Sequence, residues 1–495
     1  MQRNKTDVPD KDRIRKWIYL ILMRYGFIYR SRPGFQKVAK MADIIIRNGK
    51  LVTMDPACPA VIEQTIVIEN GKITKIGETD EKADKIIDAK GCIVMPGLSN
   101  THTHLGMTLF RGYGDDMMLQ DWLENRIWPA EACLDARLTA AGSRLACLEM
   151  IRSGTTACCD MYFYMDDVAR AVEESGMRAS LSYGMIELGD ESKGRKELEI
   201  ARKFVADRNG TAGGRITTMY GPHAPTTCSE DFLARVREQA TKDGVGIHIH
   251  VLETEAELKQ IEEKHGMCPI HLLDRIDFWG PDVLAAHAVW MSDRDIKIFA
   301  DKGVKVSHNA ISNMKLASGI APIHKMIGAG VNVSLGTDGC ASNNSLDMFE
   351  EMKTSSLLQK VSVMDPTAYP AEEVVRSATV NGGSVIDPLT GMLKEGNKAD
   401  IIILDVNKAH LTPNAAFMNP GPYSHLVYAA RGSDVKTVII DGKTVMEDYT
   451  VLTMDEEKIR EDAEKAAAEL FEKVRENRNE TMSEKTRDES VRMTG

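Results

Sequence analysis

No uninterrupted apolar stretch approaches the roughly 20 residues that cross a bilayer, so a membrane-spanning helix does not organise this chain. A basic excess is missing too: 62 Lys and Arg stand against 73 Asp and Glu, for a formal net charge of −11. That balance argues against a nucleic-acid binder, which needs a cationic face for phosphates, and leaves small molecules as the expected partners. Nor is there a disulfide framework. Nine cysteines scattered through 495 residues, an odd number without compact spacing, read as reduced thiols, and the expected compartment is the cytoplasm. Cys158 and Cys159 lie in an apolar run with no CxxC or Cys/His cluster around them, which predicts buried strand packing.

What is present is ordinary globular composition, 43% hydrophobic and 27% charged, enough to bury a sizeable core. Near the start, Trp17 to Tyr29 is apolar and follows basic residues, as in a signal peptide. Arg24 interrupts it and no small-residue cleavage site follows, so residues 1–40 are expected to be an extension outside the fold. Attachment of this segment to a membrane surface is the alternative reading.

From Ala42 the pattern turns to short β-rich pieces with Asn48-Gly49 and Asn70-Gly71 between them, which are hairpin signals. A matching set returns at Ala399 to Leu404 and at Val435 to Ile440 with Asp441-Gly442. Residues 41–96 and 395–450 are therefore expected to form one small composite β-sandwich, with residues 97–394 inserted as a single domain. Residues 451–495 read as a charged amphipathic helix from Glu456 to Val474 and then a polar tail, disordered from about Asn477.

Within the insert, apolar runs recur between longer amphipathic stretches: Gly97 to His104, Thr155 to Asp160, Ala179 to Tyr183, Ile216 to His223, Val245 to Val251, Val283 to His287, Val304 to His308 and Val331 to Asp338. Eight strand–helix units predict an α/β fold, a TIM-like (β/α)₈ barrel, whose chemistry sits at the C-terminal ends of its strands. His102, His104, His223, His250, His287 and His308 fall at or just past those ends, and Asp338 ends the eighth run. His102 and His104 are two apart, so on a strand both side chains share one face and can grip one ion. A third imidazole and a carboxylate complete a set that suits zinc, which selects His102, His104, His250 and Asp338. His248 shares a strand face with His250 and is the alternative ligand, but His250 lies closer to the strand's C-terminal mouth. Iron or manganese would also fit imidazole-rich ligands. His308 is expected to orient or to pack rather than to ligate.

The segments Pro96-Gly-Leu-Ser-Asn-Thr-His-Thr-His104, Gly221-Pro-His-Ala-Pro225, Ile249-His-Val-Leu-Glu253, Ala286-His287, Ser307-His-Asn309 and Leu335-Gly-Thr-Asp-Gly339 together resemble the amidohydrolase superfamily. Within it they are similar to the methylthioadenosine/S-adenosylhomocysteine deaminases and the neighbouring 5′-deoxyadenosine deaminases. The resemblance spans roughly residues 41 to 450 and implies the barrel and composite sandwich just described. It also implies a homo-oligomer, dimer or tetramer, and one Zn²⁺ per subunit on His102, His104, His250 and Asp338. Glu253 becomes the proton shuttle to the adenine ring, with His287 and Asp338 taking the proton of the attacking water.

Substrate contacts rest on the same resemblance. Glu131, in Trp128-Pro-Ala-Glu131, is matched to the ribose hydroxyls, since one carboxylate can accept two hydrogen bonds from a vicinal diol. His223 is matched to the purine, which Glu253 and Asp338 also meet. Relatives that favour S-adenosylhomocysteine carry an arginine where Tyr183 stands, whereas Arg195 matches a second arginine for that carboxylate. A phenol suits an apolar 5′ group better than an anion, although Tyr183 could equally pack against the strand-end loop. These matches imply deamination of 5′-deoxyadenosine, 5′-methylthioadenosine and S-adenosylhomocysteine, with adenosine a further candidate. The competing readings are another amidohydrolase, such as a triazine chlorohydrolase, and a non-catalytic metal-binding scaffold. The PCxxC element of the cytidine-type zinc deaminases is absent from the sequence.

Overall fold

A computed structural model describes residues 41–414 and 421–494, with side chains of the last helix described as far as residue 479. The extension expected over residues 1–40 lies outside the described residues. Eight parallel strands form the centre: β1 Leu98–Thr103, β2 Thr155–Tyr162, β3 Arg178–Met185, β4 Ile216–Pro222, β5 Gly246–Val251, β6 Val283–His287, β7 Lys305–His308 and β8 Asn332–Leu335. Each pairs with its neighbour in chain order. Helices cover the outer face, which is why these strands carry apolar or small residues on both faces; β2 and β6 are buried at every position.

The ring closes between β8 and β1, where Thr101 Oγ1 donates to the Leu335 carbonyl at 2.9 Å and Asp338 N donates to the His102 carbonyl at 2.9 Å. Gly336 permits that approach, because a Cβ there would meet His102 N at 2.7 Å and Ser307 Oγ at 2.5 Å. All eight runs expected from the sequence are strands of this barrel. Cys158 and Cys159 are buried on β2, and all nine cysteines are free thiols.

Two further sheets stand outside the barrel. One joins Ala42–Arg47, Ile66–Glu69, Lys72–Ile76 and Ala83–Asp88; the other interleaves both parts of the chain, with Cys92–Pro96 antiparallel to Ile401–Asp405. Ile44, Ile46 and Ile68 from the first sheet pack with Val94, Ile401 and Ile439 from the second. The turns Asn70-Gly71 and Asp441-Gly442 are hairpins, with both residues of each at positive φ. Asn48-Gly49 is not. Ala42–Arg47 pairs with Ile66–Glu69 and Ala83–Asp88, while Lys50–Leu51 pairs with Ile62–Glu63 and Cys92–Pro96, so this turn carries the chain from one sheet to the other. Burial of Leu51 in the second sheet overrides the local hairpin preference.

The C-terminal helix runs Glu456–Thr494, further than its apolar period suggested. Ala466, Leu470 and Val474 are buried. Beyond them polar anchors take over: Asn477 Nδ2 donates to Cys133 Sγ at 3.2 Å, and Arg478 donates to the Asn125 carbonyl. The disorder expected from Asn477 therefore does not begin there. Among the described residues, no helix is long and apolar enough to cross a membrane.

At the N-terminal end of β3, Arg178 is 1% exposed and joins the barrel to the outer sheets. Its Nε lies 2.7 Å from Asp400 Oδ2, and its Nη2 lies 3.2 Å from Asp441 Oδ1. Removing one member of such a buried pair strands the other's charge, so Arg178→Leu is expected to cost about 3–5 kcal/mol. Denaturant unfolding measures this, and a loss below about 1 kcal/mol would mean that solvent reaches the carboxylates.

Candidate active site

The strand ends converge on one ion-sized point. His102 and His104 leave β1 on the same face, and both Nε2 atoms approach Asp338 Oδ1, at 3.3 Å and 3.1 Å. The ligand atoms of His102, His104 and His250 all lie within 4.8 Å of one another, and so do those of His102, His287 and Asp338. The other ring nitrogens are held by the protein. His104 Nδ1 meets the Met161 carbonyl at 2.5 Å, His250 Nδ1 the His223 carbonyl at 2.7 Å, and His102 Nδ1 the His248 Nε2 at 2.8 Å. Such partners fix the tautomer and aim the free nitrogen inward.

A divalent cation fits this donor set. His102 Nε2 is buried and has no hydrogen-bond partner, a costly state unless a Lewis acid takes its lone pair. Burial drives His102 down to about 4 and His250 well below the usual histidine range, so both imidazoles are neutral and ready to ligate. On His104 burial also works downward, but the Asp338 contact outweighs it and lifts the ring to about 9. Burial pushes the Asp338 carboxyl upward, but the adjacent His102 and His104 rings outweigh it and hold the group far below the usual carboxylate range.

Local backbone geometry serves the same point. Leu252, His287 and Asp338 adopt φ of 51°, 72° and 65°, a conformation that non-glycine residues hold only when their surroundings over-determine it. Asp338 Oδ2 accepts from Ser312 Oγ at 2.7 Å and Ser342 Oγ at 2.9 Å, while His287 Nδ1 meets Asn313 Oδ1 at 2.9 Å. His287 Nε2 faces Glu253 Oε2 at 3.7 Å. Thr254, one residue on, caps the following helix Glu255–His265 by accepting from Glu257 N, which sets where Glu253 projects.

These groups open into a cavity of about 240 Å³ lined by His104, His223, His250, Glu253, His287 and Asp338 at its floor. Glu131, Trp122, Trp128 and Ile186 are among the residues of its walls. Burial raises the Glu131 carboxyl to about 7 against the pull of the Tyr162 hydroxyl, and burial lowers His223 to about 4. Among the described residues lining the cavity there is no lysine or arginine.

Tyr183 and Arg195 are placed elsewhere. Gly184 lines the cavity, so strand alternation turns Tyr183 to the helix side, where burial and the neighbouring Glu197 push its hydroxyl upward. Arg195 sits on the helix Glu191–Arg208 with its side chain 60% exposed and its Nη1 2.7 Å from Glu191 Oε1. His248 is wholly buried beneath His102 and belongs to neither ligand group. His308 is buried with neither ring nitrogen hydrogen-bonded, and is likewise outside both groups. Sequence reasoning missed Trp122, Ser312, Asn313 and Ser342, which lie in loops or short helices after strand ends and carry no spacing signal of their own.

Residues 93–445 match the Amidohydrolase family. The chain belongs to that family. It is 62% identical over 435 residues to a 5′-deoxyadenosine deaminase of Methanosarcina barkeri, covering 88% of this chain and 100% of the relative. A 5-methylthioadenosine/S-adenosylhomocysteine deaminase of Thermococcus onnurineus is 50% identical over 406 residues, covering 82% and 94%. In structure, it resembles an adenosine deaminase from Xanthomonas campestris with bound zinc, at 31% identity and a TM-score of 0.82 over 87% of this chain and 99% of that one.

Proposed function

We propose that this amidohydrolase deaminates the adenine ring of 5′-deoxyadenosine, 5′-methylthioadenosine and S-adenosylhomocysteine, with adenosine a further candidate, releasing ammonia and the inosine analogue. The observation that carries the reading is the gathering of His104, His250, Glu253, His287 and Asp338 in one cavity, with the buried His102 holding a ligand atom within 4.8 Å of those of His104, His250, His287 and Asp338. The 50–62% identical relatives named as nucleoside deaminases point to the same chemistry. Likeness to triazine hydrolases, at 23% identity and a TM-score of 0.79, concerns the fold alone.

We assign His102, His104, His250 and Asp338 as ligands of one Zn²⁺. When bound, the cation supplies Lewis acidity that makes water a nucleophile near neutral pH. Glu253, whose carboxyl burial pushes upward, protonates the ring nitrogen beside C6 as water adds there. His287 and Asp338 take the water's proton and return it to the exocyclic amine, Glu253 recovers its proton from the C6 hydroxyl, and C–N cleavage leaves the C6 carbonyl and ammonia. Glu131 holds the ribose hydroxyls, and His223, neutral at working pH, holds the purine. A homo-oligomer, dimer or tetramer, and a cytoplasmic location complete the proposal.

The wall chemistry bears on the 5′ group. With no cation among the described lining residues, a homocysteine carboxylate meets neutral groups and Glu131 rather than a guanidinium fork. Neither Tyr183 nor Arg195 lines this cavity, so the preference rests on the walls rather than on those two residues. We expect 5′-deoxyadenosine and methylthioadenosine to be used at least as well as S-adenosylhomocysteine, judged by kcat/KM from the change of the adenosine spectrum to that of inosine. No spectral change with any of the three sinks the function. A hundredfold preference for the amino-acid-bearing substrate leaves deamination standing and overturns the reading of the walls.

A further inference from the structure

Two short segments hold the polar groups that aim Asp338 and His287. One is the helix Ala310–Lys315, bearing Ser312 and Asn313; the other is the loop after β8, bearing Ser342 and Asn343. Neither contains a long element of its own. The helix has only 6 residues, and Asn309, at its N-cap, makes no side-chain capping bond. A helix this short is not stable by propensity, so its place depends on outside partners.

Both segments meet one carboxylate. Glu351, on the helix Met348–Val363, is 0% exposed. Its Oε1 accepts from Ile311 N at 3.3 Å, at the uncapped start of the short helix. Its Oε2 accepts from Asn343 Nδ2 at 3.3 Å, and the same amide donates to the Thr337 carbonyl at 2.8 Å, one residue before Asp338. A buried carboxylate is expensive and would be replaced by an apolar residue if packing were its only use.

We propose that Glu351 is a positioning residue of the active site, bracing through Ile311 the segment that orients His287 and through Asn343 the backbone that presents Asp338. It touches neither metal ligands nor substrate. It acts through Asn313 on the ring that faces Glu253, and through Thr337 on the left-handed backbone of Asp338. The inference rests on the deaminase reading above, and the parent enzyme's activity on 5′-deoxyadenosine tests that reading before any variant is compared.

Outer partners of this kind typically contribute about 10- to 100-fold to activity or metal affinity. Glu351→Ala should lower kcat for 5′-deoxyadenosine about 10- to 100-fold with KM changed less than about threefold, because the cavity walls are intact. It should also release zinc to a chelator about tenfold faster than the parent does, a readout independent of turnover. Glu351→Gln keeps an acceptor for Ile311 N but offers an amide to Asn343, so it should recover most of kcat while zinc release stays fast. Asn343→Ala removes the Asp338 arm alone, without leaving a smaller residue at 351. Combined with Glu351→Gln, its effect on zinc release should be less than multiplicative. Folded Glu351→Ala with parental kcat and zinc release overturns the proposal. If Glu351→Ala does not fold, parental zinc release in both Glu351→Gln and Asn343→Ala overturns it as well.

Discussion

His250→Ala is expected to remove both bound zinc and detectable deamination while leaving the barrel folded. The ring lies in a pre-aimed triad of imidazoles, with its Nδ1 bound to the His223 carbonyl and its Nε2 turned to the metal point. A structural zinc site keeps its ion through four protein ligands, and a catalytic one through three or four with an open position. Loss of one therefore drops affinity steeply, and the neighbouring His248 cannot substitute because it is already 2.8 Å from His102 Nδ1. Elemental analysis with circular dichroism distinguishes the outcomes. A folded His250→Ala with full zinc and parental turnover would overturn the ligand set and make His248 the candidate. The same analysis of the parent reports whether zinc, iron or manganese is the native ion.

Glu253→Gln is expected to keep its zinc and lose about 10²- to 10⁴-fold in kcat, the usual contribution of a general acid/base group. The amide matches the carboxyl in shape and keeps the approach to His287 Nε2, now 3.7 Å from Oε2, yet has no proton to deliver to the ring nitrogen. The backbone N–H of residue 253 would still donate to Glu257 Oε2 at 2.9 Å, so the turn should not move. Turnover within a factor of three of the parent would remove Glu253 from the mechanism and leave its role as a wall of the cavity.

Eight apolar runs at barrel spacing, six of them ending at or next to a histidine or in Asp338, were legible because strand period and burial on both faces leave a strong mark on sequence. The HxH pair carried direction as well as chemistry, since alternate residues on a strand share a face. Glu253 and Glu131 were legible only through family resemblance, since a single carboxylate on a loop or a short helix looks like any solvated charge. Asn48-Gly49 misled for a local reason: turn chemistry reports that the chain bends, and not which strand it then pairs with. The helix past Asn477 escaped notice because Cys133 and Asn125, which hold it, are about 340 and 350 residues away in sequence.

By itself, the sequence determined the barrel, the outer sheets drawn from both ends, the metal-ligand candidates and the acidic balance that disfavours nucleic acid. These are properties of local period, residue type and spacing. Only the tertiary structure decided that His248 lies under His102, that Tyr183 turns away from the cavity, and that no lysine or arginine lines it among the described residues. It also decided that Glu351 braces two segments over intervals of 40 and 8 residues. Such relations depend on where the ends of separate strands and helices meet, and contacts set by packing of distant segments have no period along the chain.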